Sequence, residues 1–577
     1  MKPALLLIDL QQDFLRGSTF GSVTRAAARL LTYCRQAAIP VLHVWTTVQR
    51  NPDRRMPHWR EAGRWDCLAG TEGHAPPPAL RPMATETILQ KTVFSPFVEH
   101  DVAELLRRSG CDTVWLAGVH LHACVRTTAL DAYQRGFAVV IIEDATGSDD
   151  PLHAAITRLY LSRRGIRFAS SHELAPFAGE QSRPITLTVP RRSSLTWAKR
   201  VEALRQLRQR LTEAAEKLTE LIVSEIHKPV RYARAEVQRS VALVEATLKN
   251  ALPLHETGRV RYRPLGCVGV ITPWNNPVAI PIGKIAPAIL YGNTVVWKPS
   301  PLAEQVSRAL STLLPSHQLV LGGAEAAVAV MEAVDAVTFT GSSAAGYVAQ
   351  AICSRRRIPL QAELGGNNAA IVCEDADLRD AAQQIAEAAF GFAGQRCTAN
   401  RRVIVIESVL DAFLHELRFA VQSLVCGDPR EEATQVGPMI TSAAAERVAA
   451  LVADAEPLFA ARAGTVVWGR DPHSEIVQEE TFGPVLVVQP ARDWDEAIEL
   501  CNGTRYGLVA SLFSRDSRRQ TDFLERAEAG ILKLNRATAD ADAESPFGGW
   551  KHSGIGPAEH GASDREFYTR VQAIYGE

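Results

Sequence analysis

The sequence lacks an excess of charge of either sign and lacks long apolar runs. Its 577 residues include 63 Lys and Arg against 64 Asp and Glu, which leaves a formal net charge of −1. A net charge this small gives no excess of positive charge that would attract nucleic acid or an anionic membrane surface. No apolar run reaches the length that spans a bilayer. We therefore expect small molecules as partners, and neither nucleic acid nor membrane.

The cysteines show no disulfide pattern. The ten cysteines include no C-x-x-C pair and no framework spacing, which favours a reduced, cytoplasmic compartment. The chain starts with an apolar run at 4–8 that ends at Asp9. This run is too short for the apolar core of a signal peptide and predicts a buried first strand.

The length of the chain indicates several domains. At roughly 150 residues per domain the length predicts three or four of them, and the content of 46% hydrophobic and 22% charged residues is ordinary for a globular protein. A polar stretch with Pro and Gly at 176–184 indicates a domain boundary. We predict one domain at 1–178, a linker at 179–194 and a larger part at 195–577.

Residues 1–178 alternate short apolar runs with amphipathic stretches. The predicted elements are strands at 4–8, 40–45, 113–117 and 138–142, and helices at 23–38, 102–109 and 127–135. Short apolar strands between helices indicate an α/β fold with a doubly wound parallel sheet that is covered on both faces. In such sheets the chemistry gathers at the carboxyl ends of the strands.

Three reactive residues lie where this rule places a site. Asp9 ends the first strand, Lys91 lies in Leu89-Gln90-Lys91-Thr92, and Cys124 follows the strand at 113–117. A carboxylate can take the thiol proton, a lysine favours the thiolate, and backbone amides hold an oxyanion. The alternative for each residue alone is a strand-end cap, a solvated charge and a buried small side chain.

The motifs around these residues resemble the isochorismatase-like cysteine hydrolases. The motifs are Asp9-Leu10-Gln11-Gln12-Asp13-Phe14, the stretch from Leu89 to Phe97, and Gly118-Val119 followed by Cys124-Val125-Arg126-Thr127. The resemblance implies that Asp9, Lys91 and Cys124 form a triad. It also implies hydrolysis of the C–N bond of an amide, carbamoyl or ureido group.

A metal is not implied for this domain. The nicotinamidase branch of the family has a metal-binding Asp-x-His stretch after its second strand, and the corresponding stretch here, at 44–50, has no such motif. His120 and His122 flank the nucleophile loop and could be ligands, but pocket lining or an exposed loop is the simpler explanation. We predict no metal.

Residues 195–577 begin with an amphipathic helical pattern and then carry seven motifs in a fixed order. These are Thr272-Pro273-Trp274-Asn275-Asn276-Pro277, Val296-Trp297-Lys298-Pro299-Ser300, Phe339-Thr340-Gly341-Ser342-Ser343, Glu363-Leu364-Gly365-Gly366, Gly394-Gln395-Arg396-Cys397, Gln478-Glu479-Glu480-Thr481-Phe482-Gly483-Pro484 and Pro546-Phe547-Gly548-Gly549. Together they resemble the NAD(P)-dependent aldehyde dehydrogenase superfamily. The resemblance implies a Rossmann-like cofactor domain, mainly 195–364, an α/β catalytic domain, mainly 365–530, and a C-terminal return for oligomerisation at 531–577.

A thiol and a carboxylate carry the chemistry of this part. A thiolate can attack a carbonyl carbon, and a carboxylate can take the proton of an incoming water. The resemblance implies that Cys397 is the nucleophile, that Asn275 and the Cys397 backbone N–H hold the oxyanion, and that Glu363 activates the water. A lone Cys in an Ala-rich stretch could instead be inert core.

The resemblance also implies a binding site for NAD or NADP. Its residues are Trp274, Lys298, Ser300, Gly341, Ser342, Glu480 and Phe482. Lys298 and Ser300 would contact the adenosine ribose. Backbone N–H groups at Gly341 and Ser342, at a strand-to-helix turn, would meet the pyrophosphate. Glu480 would bind the nicotinamide ribose.

The choice between NAD and NADP stays open at Pro301. NAD-preferring relatives often have Glu three residues after the lysine, and this chain has Pro301 there. The missing carboxylate removes repulsion of a 2′-phosphate.

The chain departs from the family at three places. The family usually has several dozen more residues before the first helix, the stretch at 428–478 is shortened, and His227-Lys228-Pro229 has His where the family has Gly. We still expect a homo-oligomer, a dimer or a tetramer.

Two arginines bear on the substrate. Arg396 and Arg536 could pair with a distal carboxylate, although surface ion pairing also explains them. The stretch at 548–568 resembles 2-oxoglutarate-semialdehyde-type dehydrogenases.

We interpret the chain as a bifunctional enzyme that joins aldehyde oxidation to hydrolysis of a C–N bond. The fusion suggests one catabolic pathway for a nitrogen-containing compound. The alternative is a hydrolase with a non-catalytic dehydrogenase-like scaffold that binds the cofactor or holds an oligomer together.

Overall fold

The structure divides into two compact units, Met1–Ser182 and Arg183–Glu577. It is a computed structural model that describes residues 2–16, 20–171, 187–189, 195–252, 254–257 and 259–575. Most of the linker predicted at 179–194 lies outside the described residues.

The first unit is built on one parallel sheet. Its strands are β1 (Pro3–Ile8), β2 (Val41–Thr46), β3 (Thr87–Lys91), β4 (Thr113–Gly118), β5 (Ala138–Thr146) and β6 (Arg167–Ala169). Its helices are α1 (Gly21–Gln36), α2 (Pro57–Glu61), α3 (Val102–Arg108), α4 (Arg126–Gln134) and α5 (Pro151–Ser162). The strand order is β3-β2-β1-β4-β5-β6 with parallel pairing throughout, which confirms the predicted doubly wound fold.

Alternation along β1 explains why both faces of this sheet are covered. Leu5 and Leu7 belong to the core that α1 covers, whereas Leu6 and Ile8 belong to the core that α3 and α4 cover. A strand buried on both faces therefore has an unbroken apolar sequence. The strand order reverses between β1 and β4, and ligands of such sheets bind outside the carboxyl ends of the strands at that point.

Strand β3 was not predicted from the sequence. Only Leu89 and Lys91 of its five residues are buried, so the strand has neither a continuous apolar run nor a clear alternation of apolar and polar residues. It lies at the edge of the sheet and ends at Lys91.

The second unit contains the remaining strands and helices. Its strands are β7 (His255–Thr257), β8 (Val260–Pro264), β9 (Cys267–Ile271), β10 (Thr294–Lys298), β11 (Gln318–Leu319), β12 (Ala336–Thr340), β13 (Leu360–Glu363), β14 (Asn368–Val372), β15 (Asn400–Ile406), β16 (Pro457–Ala461), β17 (Gly464–Trp468), β18 (Val485–Ala491), β19 (Tyr506–Gly507), β20 (Val509–Phe513), β21 (Ile531–Leu534), β22 (Trp550–Lys551), β23 (Gly554–Ile555) and β24 (Thr569–Ala573). Its helices are α6 (Trp197–Glu213), α7 (Ala215–Ile226), α8 (Val230–Lys249), α9 (Ala279–Leu290), α10 (Glu304–Ser311), α11 (Ala324–Ala333), α12 (Ser343–Arg356), α13 (Leu378–Phe390), α14 (Leu410–Ser423), α15 (Ser442–Ala453), α16 (Glu475–Gln478), α17 (Trp494–Asn502), α18 (Ser517–Arg526) and α19 (Ala562–Tyr568).

Two large sheets organise the second unit. One has the order β11-β10-β9-β12-β13-β23, and β23 is its single antiparallel strand. The other has the order β16-β17-β18-β15-β14-β20-β21 and is parallel except where β16 pairs with β17. Smaller antiparallel sheets are β19-β22 and β24-β8-β7. The turn at 364–367 joins β13 of the first large sheet to β14 of the second.

The helical layer that opens the second unit follows the predicted amphipathic pattern. The pattern is divided between α6 and α7, which meet at Ala214, and its members Leu204, Leu207 and Leu211 are buried. Within the described residues, no helix has the length and apolar character needed to cross a membrane.

Candidate active sites

In the first unit, the structure brings Asp9, Lys91 and Cys124 together. Asp9 follows β1, Lys91 ends β3, and Cys124 lies in a π-helical segment, Leu121–Val125, that leads into α4. The Lys91 Nζ donates a hydrogen bond to Asp9 Oδ2 at 2.8 Å and lies 3.6 Å from Cys124 Sγ. All three side chains are buried, so the solvated-lysine alternative is wrong.

Thr46, at the end of β2, is a site residue that sequence reasoning missed. Its Oγ1 accepts a hydrogen bond from Lys91 Nζ at 2.7 Å and donates one to Asp9 Oδ1 at 2.9 Å, and its backbone N–H donates to the same Oδ1 at 2.9 Å. These bonds fix both charged groups. The position of Thr46 at the carboxyl end of a strand was the signal that could have found it.

Burial and two opposite charges set the ionisation of this site. Burial, and then the Asp9 carboxylate, raise the pKa of the Cys124 thiol, and Lys91 opposes them. Burial disfavours the ammonium form of Lys91, but Asp9 and Cys124 outweigh it, so the pKa of Lys91 is raised. The resting site thus holds a carboxylate–ammonium pair beside a protonated thiol, and the thiol proton must move to a base before attack.

The two histidines of the nucleophile loop line the same region. The His120 ring packs against Phe14 and Phe20, with ring centroids 6.2 and 5.5 Å apart, and its Nδ1 lies 3.1 Å from a carboxylate oxygen of Asp149. His122 Nδ1 shares a hydrogen bond with a serine hydroxyl at 2.6 Å. Both have protein partners, which agrees with pocket lining.

One acidic cluster among the described residues has a spacing that could hold a metal ion. It comprises Cys373, Glu374 and Asp375. Glu374 is paired with Arg519, and Asp375 accepts backbone N–H bonds at 2.6 and 2.8 Å from residues 515 and 516. The cluster therefore caps a turn of the second unit. For the first unit, the expectation that no metal is bound stays a prediction.

In the second unit, Cys397, Glu363 and Asn275 converge on the turn between the two large sheets. The Glu363 carboxylate, at the end of β13, accepts a hydrogen bond from the backbone N–H of Gly549 at 3.1 Å. The Asn275 Nδ2 donates to the carbonyl oxygen of Gln395 at 3.0 Å, two residues before the thiol. Because this bond uses one of its two N–H groups, the other is free to stabilise an oxyanion.

Gly366 allows the chain around Cys397 to pack closely. A Cβ at Gly366 would lie only 2.5 Å from the carbonyl oxygen of Cys397, and Asn368 Nδ2 donates to that oxygen at 2.7 Å. Phe392 and Ala393, just before the thiol, have φ of 55° and 51°. Such backbone is costly and tends to occur at functional sites.

The thiol and the carboxylate of this site influence each other. Burial, then the charges of Glu480 and Glu363, raise the pKa of Cys397 to about 12, and Arg239 opposes them. Burial, then the charge of Glu559, raise the pKa of Glu363 well above its ordinary value, and Lys284 opposes them. A carboxyl with a raised pKa suits a general base that works near neutral pH.

Lys284 and Glu559 form a buried ion pair behind Glu363 that sequence reasoning missed. Lys284 lies in the otherwise apolar α9, pairs with Glu559 and donates to Thr338 Oγ1 at 3.0 Å. A single lysine within an apolar helix was the signal, because such a charge needs a buried partner.

A second missed pair supports Asn275. Lys228 Nζ bonds Glu236 at 2.5 Å, the backbone carbonyl of Asn275 at 2.8 Å and the side chain of Asn276 at 2.8 Å. Glu236 also accepts the backbone N–H of Val278 at 2.8 Å, at the start of α9. This pair holds the Asn275 loop against α8.

The predicted cofactor residues fit a dinucleotide at most positions. Lys298 is 6% exposed, and its ammonium forms no hydrogen bond with any described residue, so the ammonium can serve ribose hydroxyls. Glu480 Oε1 accepts a hydrogen bond from the Gly366 N–H at 3.0 Å. Its Oε2 is left to accept a hydrogen bond from a ribose hydroxyl. Ser300 Oγ accepts the Leu302 N–H at 3.3 Å and keeps its hydroxyl proton.

The pyrophosphate turn differs from the prediction in one respect. Ser342 caps α12, as a strand-to-helix turn requires, but the Gly341 N–H donates to the Glu363 carbonyl at 3.1 Å. Gly341 therefore shapes the turn, and the N–H groups that follow it are the ones suited to phosphate. Trp274 packs edge-on against Phe482 at 6.0 Å.

The two predicted substrate arginines lie in different surroundings. The Arg396 guanidinium lies 4.7 Å above the ring of Tyr232, whereas Arg536 is exposed.

Comparisons with known proteins agree with this geometry. Residues 188–574 match the family model described as aldehyde dehydrogenase family, and residues 3–169 match the isochorismatase domain. An alpha-ketoglutarate semialdehyde dehydrogenase of Haloferax volcanii is 34% identical over 413 residues, which are 64% of this chain and 85% of that protein.

Two solved structures share the fold of the second unit. The NAD-dependent aldehyde dehydrogenase from Sinorhizobium meliloti has a TM-score of 0.62 and 32% identity, covering 66% of this chain and 82% of that one. The NADP-dependent glyceraldehyde-3-phosphate dehydrogenase from Bacillus halodurans C-125, complexed with NADP, has a TM-score of 0.61 and 32% identity, covering 66% and 87%.

Proposed function

Because the chain belongs to the aldehyde dehydrogenase family through residues 188–574 and also carries an isochorismatase domain at 3–169, we propose that it is a bifunctional enzyme. The second unit oxidises an aldehyde to a carboxylic acid with NAD or NADP. The first unit hydrolyses the C–N bond of an amide, carbamoyl or ureido group. Both cofactors occur among the similar dehydrogenases.

In the second unit, the Cys397 thiolate attacks the aldehyde carbon to form a thiohemiacetal. The Asn275 amide and the Cys397 backbone N–H stabilise the oxyanion in this step. The bound nicotinamide supplies the acceptor for the hydride. Glu363 then takes a proton from water, which attacks the resulting thioester and releases the acid.

The residues that would hold the cofactor are Lys298 and Ser300 for the adenosine ribose, the first turn of α12 for the pyrophosphate, and Glu480 for the nicotinamide ribose. The unpartnered Lys298 ammonium supports this assignment. Pro301 in place of an acidic residue is compatible with either dinucleotide.

One observation carries the oxidation: Glu363 ends β13, the turn that follows it packs Gly366 against the carbonyl oxygen of Cys397, and Asn275 donates to the carbonyl oxygen two residues before that thiol. A scaffold that only binds cofactor has no need of a nucleophile, a base and an oxyanion donor around one turn. The complete set therefore favours catalysis over the scaffold alternative.

In the first unit, the carrying observation is the contact of Lys91 Nζ with both Asp9 and Cys124. Asp9 takes the thiol proton, and Lys91 stabilises the thiolate that attacks the carbonyl carbon. The leaving nitrogen takes the proton back, and water hydrolyses the acyl-thiol.

Oxidation is tested by following reduced cofactor with aliphatic, aromatic and carboxylated aldehydes, with NAD and with NADP. We expect turnover in the wild type and loss of about 10⁴-fold or more in Cys397→Ala. The matched control is Cys426→Ala, a half-buried thiol outside the site. Cofactor binding without oxidation of any aldehyde would favour the scaffold.

Hydrolysis is tested by release of ammonia from a panel of primary amides, carbamoyl and ureido compounds. We expect release by the wild type and by Cys397→Ala, and no release by Cys124→Ala. Ammonia release that survives in Cys124→Ala would exclude Cys124 as the nucleophile.

A further inference from the structure

The imidazole of His120 is a reactive group that the steps proposed for the first unit leave unused. Strand β4 pairs in parallel with β1, and the Val119 N–H continues this ladder beyond β4 by donating to the Ile8 carbonyl at 3.0 Å. Because the two strands run side by side, His120 leaves the sheet next to Asp9, and it precedes Cys124 in the nucleophile loop. It therefore lies at the carboxyl edge of the sheet that holds the site.

One side of the His120 ring is held by Asp149, in the loop that follows β5. Its Nδ1 lies 3.1 Å from a carboxylate oxygen of Asp149 and 3.2 Å from the backbone nitrogen of the same residue. The charged carboxylate is the stronger of these partners and favours the tautomer with the proton on Nδ1. Nε2, on the opposite edge of the ring, then carries the lone pair. This nitrogen forms no hydrogen bond or ion pair with any described residue.

His122, the other histidine of the nucleophile loop, has no ring nitrogen to spare. Its Nδ1 shares a hydrogen bond with the Ser148 hydroxyl at 2.6 Å, and its Nε2 lies 3.9 Å from the same Asp149 carboxylate. Of the two loop histidines, His120 is therefore the one whose ring can accept a proton from a reacting molecule.

The surroundings of His120 keep its ring neutral near neutral pH. Burial lowers the pKa of His120, and the positive charges of His122 and Arg64 act in the same direction, whereas Asp149 and Asp9 oppose them. A neutral imidazole can take up a proton, which is the property that a general base needs.

Asp9 has no free oxygen for a water molecule once Cys124 is acylated. Its Oδ1 accepts hydrogen bonds from the Thr46 N–H and hydroxyl, both at 2.9 Å, and its Oδ2 accepts one from Lys91 Nζ at 2.8 Å. Acylation turns the sulfur into part of a neutral thioester, which leaves Asp9 as the anionic partner of Lys91. Water would have to displace one of these bonds to reach the carboxylate.

Resting on the hydrolysis proposed for Cys124, we propose that His120 is the base that activates water in the second half of that reaction, with Asp149 as its positioning residue. Water attacks the acyl carbon while one of its protons passes to His120 Nε2. The tetrahedral intermediate then breaks its C–S bond, the Cys124 sulfur takes the proton back from the imidazolium, and the acid leaves. Asp9 keeps the proton transfer of the first half.

The test uses p-nitrophenyl acetate, an activated ester that acylates thiols, so the natural amide need not be known. Every chain carries Cys397→Ala, which removes the nucleophile proposed for the second unit. Release of p-nitrophenol in the first turnover reports acylation of Cys124, and later turnovers also require hydrolysis of the acetyl-thiol. In His120→Gln we expect the first turnover to release about one equivalent at the wild-type rate and later turnovers to slow about 100-fold. Acetylated Cys124 should then accumulate, as followed by peptide mass spectrometry.

The matched control is His153→Gln. His153 is exposed on α5 and pairs with Asp150 at 2.6 Å, so neither phase should change.

Two further variants separate a catalytic role from a structural one. Asp149→Asn removes a charge that raises the pKa of His120. Because the base must be neutral, the acid limb of the later turnovers should move to lower pH. Imidazole in the buffer should restore part of the rate of later turnovers in His120→Gly, where the place of the ring is open, and not in His120→Gln.

The outcomes distinguish this inference from the proposed hydrolysis. Later turnovers at the wild-type rate in His120→Gln would overturn the role of His120 and leave the nucleophile in place. Slowing of the first turnover by the same factor would also overturn it, because acylation should not need this base. Release of p-nitrophenol that survives in Cys124→Ala would remove the proposed nucleophile and this inference with it.

Discussion

At Cys124, a single carboxylate raises the thiol pKa and is also the base that takes the thiol proton in the proposed hydrolysis. Asp9 holds Lys91 at 2.8 Å and, after burial, is the main group that raises the pKa of the thiol. In Asp9→Asn, the Cys124 thiolate would become the anion that neutralises buried Lys91. We expect iodoacetamide to label Cys124 about tenfold faster near neutral pH, while amide hydrolysis falls at least about 100-fold for want of the base.

The control for this prediction is Asp131→Asn, on α4. Asp131 pairs with Arg135 at the surface at 2.9 Å, so neither labelling nor hydrolysis should change. Labelling of Asp9→Asn no faster than the wild type would mean that the Asp9 charge does not govern the thiol.

At Glu363, the pH dependence of oxidation follows from its neighbours. Burial, then Glu559, raise the pKa of Glu363, and Lys284 lowers it. In the proposed reaction Glu363 must be ionised to take a proton from water, so the rate of deacylation should rise as the pH rises through that pKa. Glu559→Gln removes a like charge and leaves Lys284, so the pKa of Glu363 falls. We expect the acid limb of the pH profile of kcat to move to lower pH.

Glu566→Gln, an exposed position on α19, is the control and should leave the limb in place. An acid limb that does not move in Glu559→Gln, or that moves to higher pH, would show that the Glu559 charge does not act on the base.

The sequence motifs identified the side chains to which we assign the covalent and proton-transfer steps, and the structure places them at the two candidate sites; their catalytic roles stay predictions. Cys124, Cys397 and Glu363 each lie in a short motif that can be recognised in the linear sequence. Thr46 and Glu559 were not predicted. The strand-end position of Thr46 marks it only as a candidate, and the importance of both residues arises from hydrogen bonds to residues at least 37 positions away or from an ion pair with Lys284 across 275 positions. Only the folded chain brings such partners together.

At the scale of elements, the end of α7 contains a strained residue. His227 has φ of 58° where the family motif has Gly, and its side chain is exposed without a hydrogen bond to any described residue. Left-handed backbone is costly for a residue with a Cβ and free for glycine. We expect His227→Gly to stabilise the second unit by about 0.5–1 kcal/mol, measured as a rise in the thermal unfolding midpoint.

Asn250→Gly is the matched control because Asn250 ends α8 with φ of −89°. Glycine brings no relief there and should lower the midpoint slightly. A His227→Gly variant that is no more stable than the wild type would contradict the strain argument.

Strands and helices were predicted well where the pattern of apolar residues is clear. They were predicted poorly where a strand lies at the exposed edge of a sheet. β1 and β4 are buried on both faces and have continuous apolar sequences. β3 has Thr87, Ile88 and Gln90 exposed. Its sequence therefore matched neither the continuous apolar run of a buried strand nor the alternating pattern of a half-buried strand. The break between α6 and α7 at Ala214 also escaped prediction, since one apolar stripe continues across it.

At the scale of the whole molecule, each unit has the cores that it needs. The two clusters of the first unit cover both faces of its sheet, and the clusters of the second unit lie on its own two large sheets and helices. The predicted homo-oligomer, a dimer or a tetramer, stays a prediction, as does a shared pathway for the two substrates.

These self-contained cores predict that the two activities are separable. Expressed apart, residues 1–182 should hydrolyse the same amides as the intact chain and residues 183–577 should oxidise the same aldehydes, each with kcat/KM within about threefold, because a domain with its own core can fold alone. Cys124→Ala and Cys397→Ala in the intact chain should each abolish one activity and spare the other. A separated unit that is folded by circular dichroism yet inactive would show instead that its site depends on the other unit, and would make fusion a condition of catalysis.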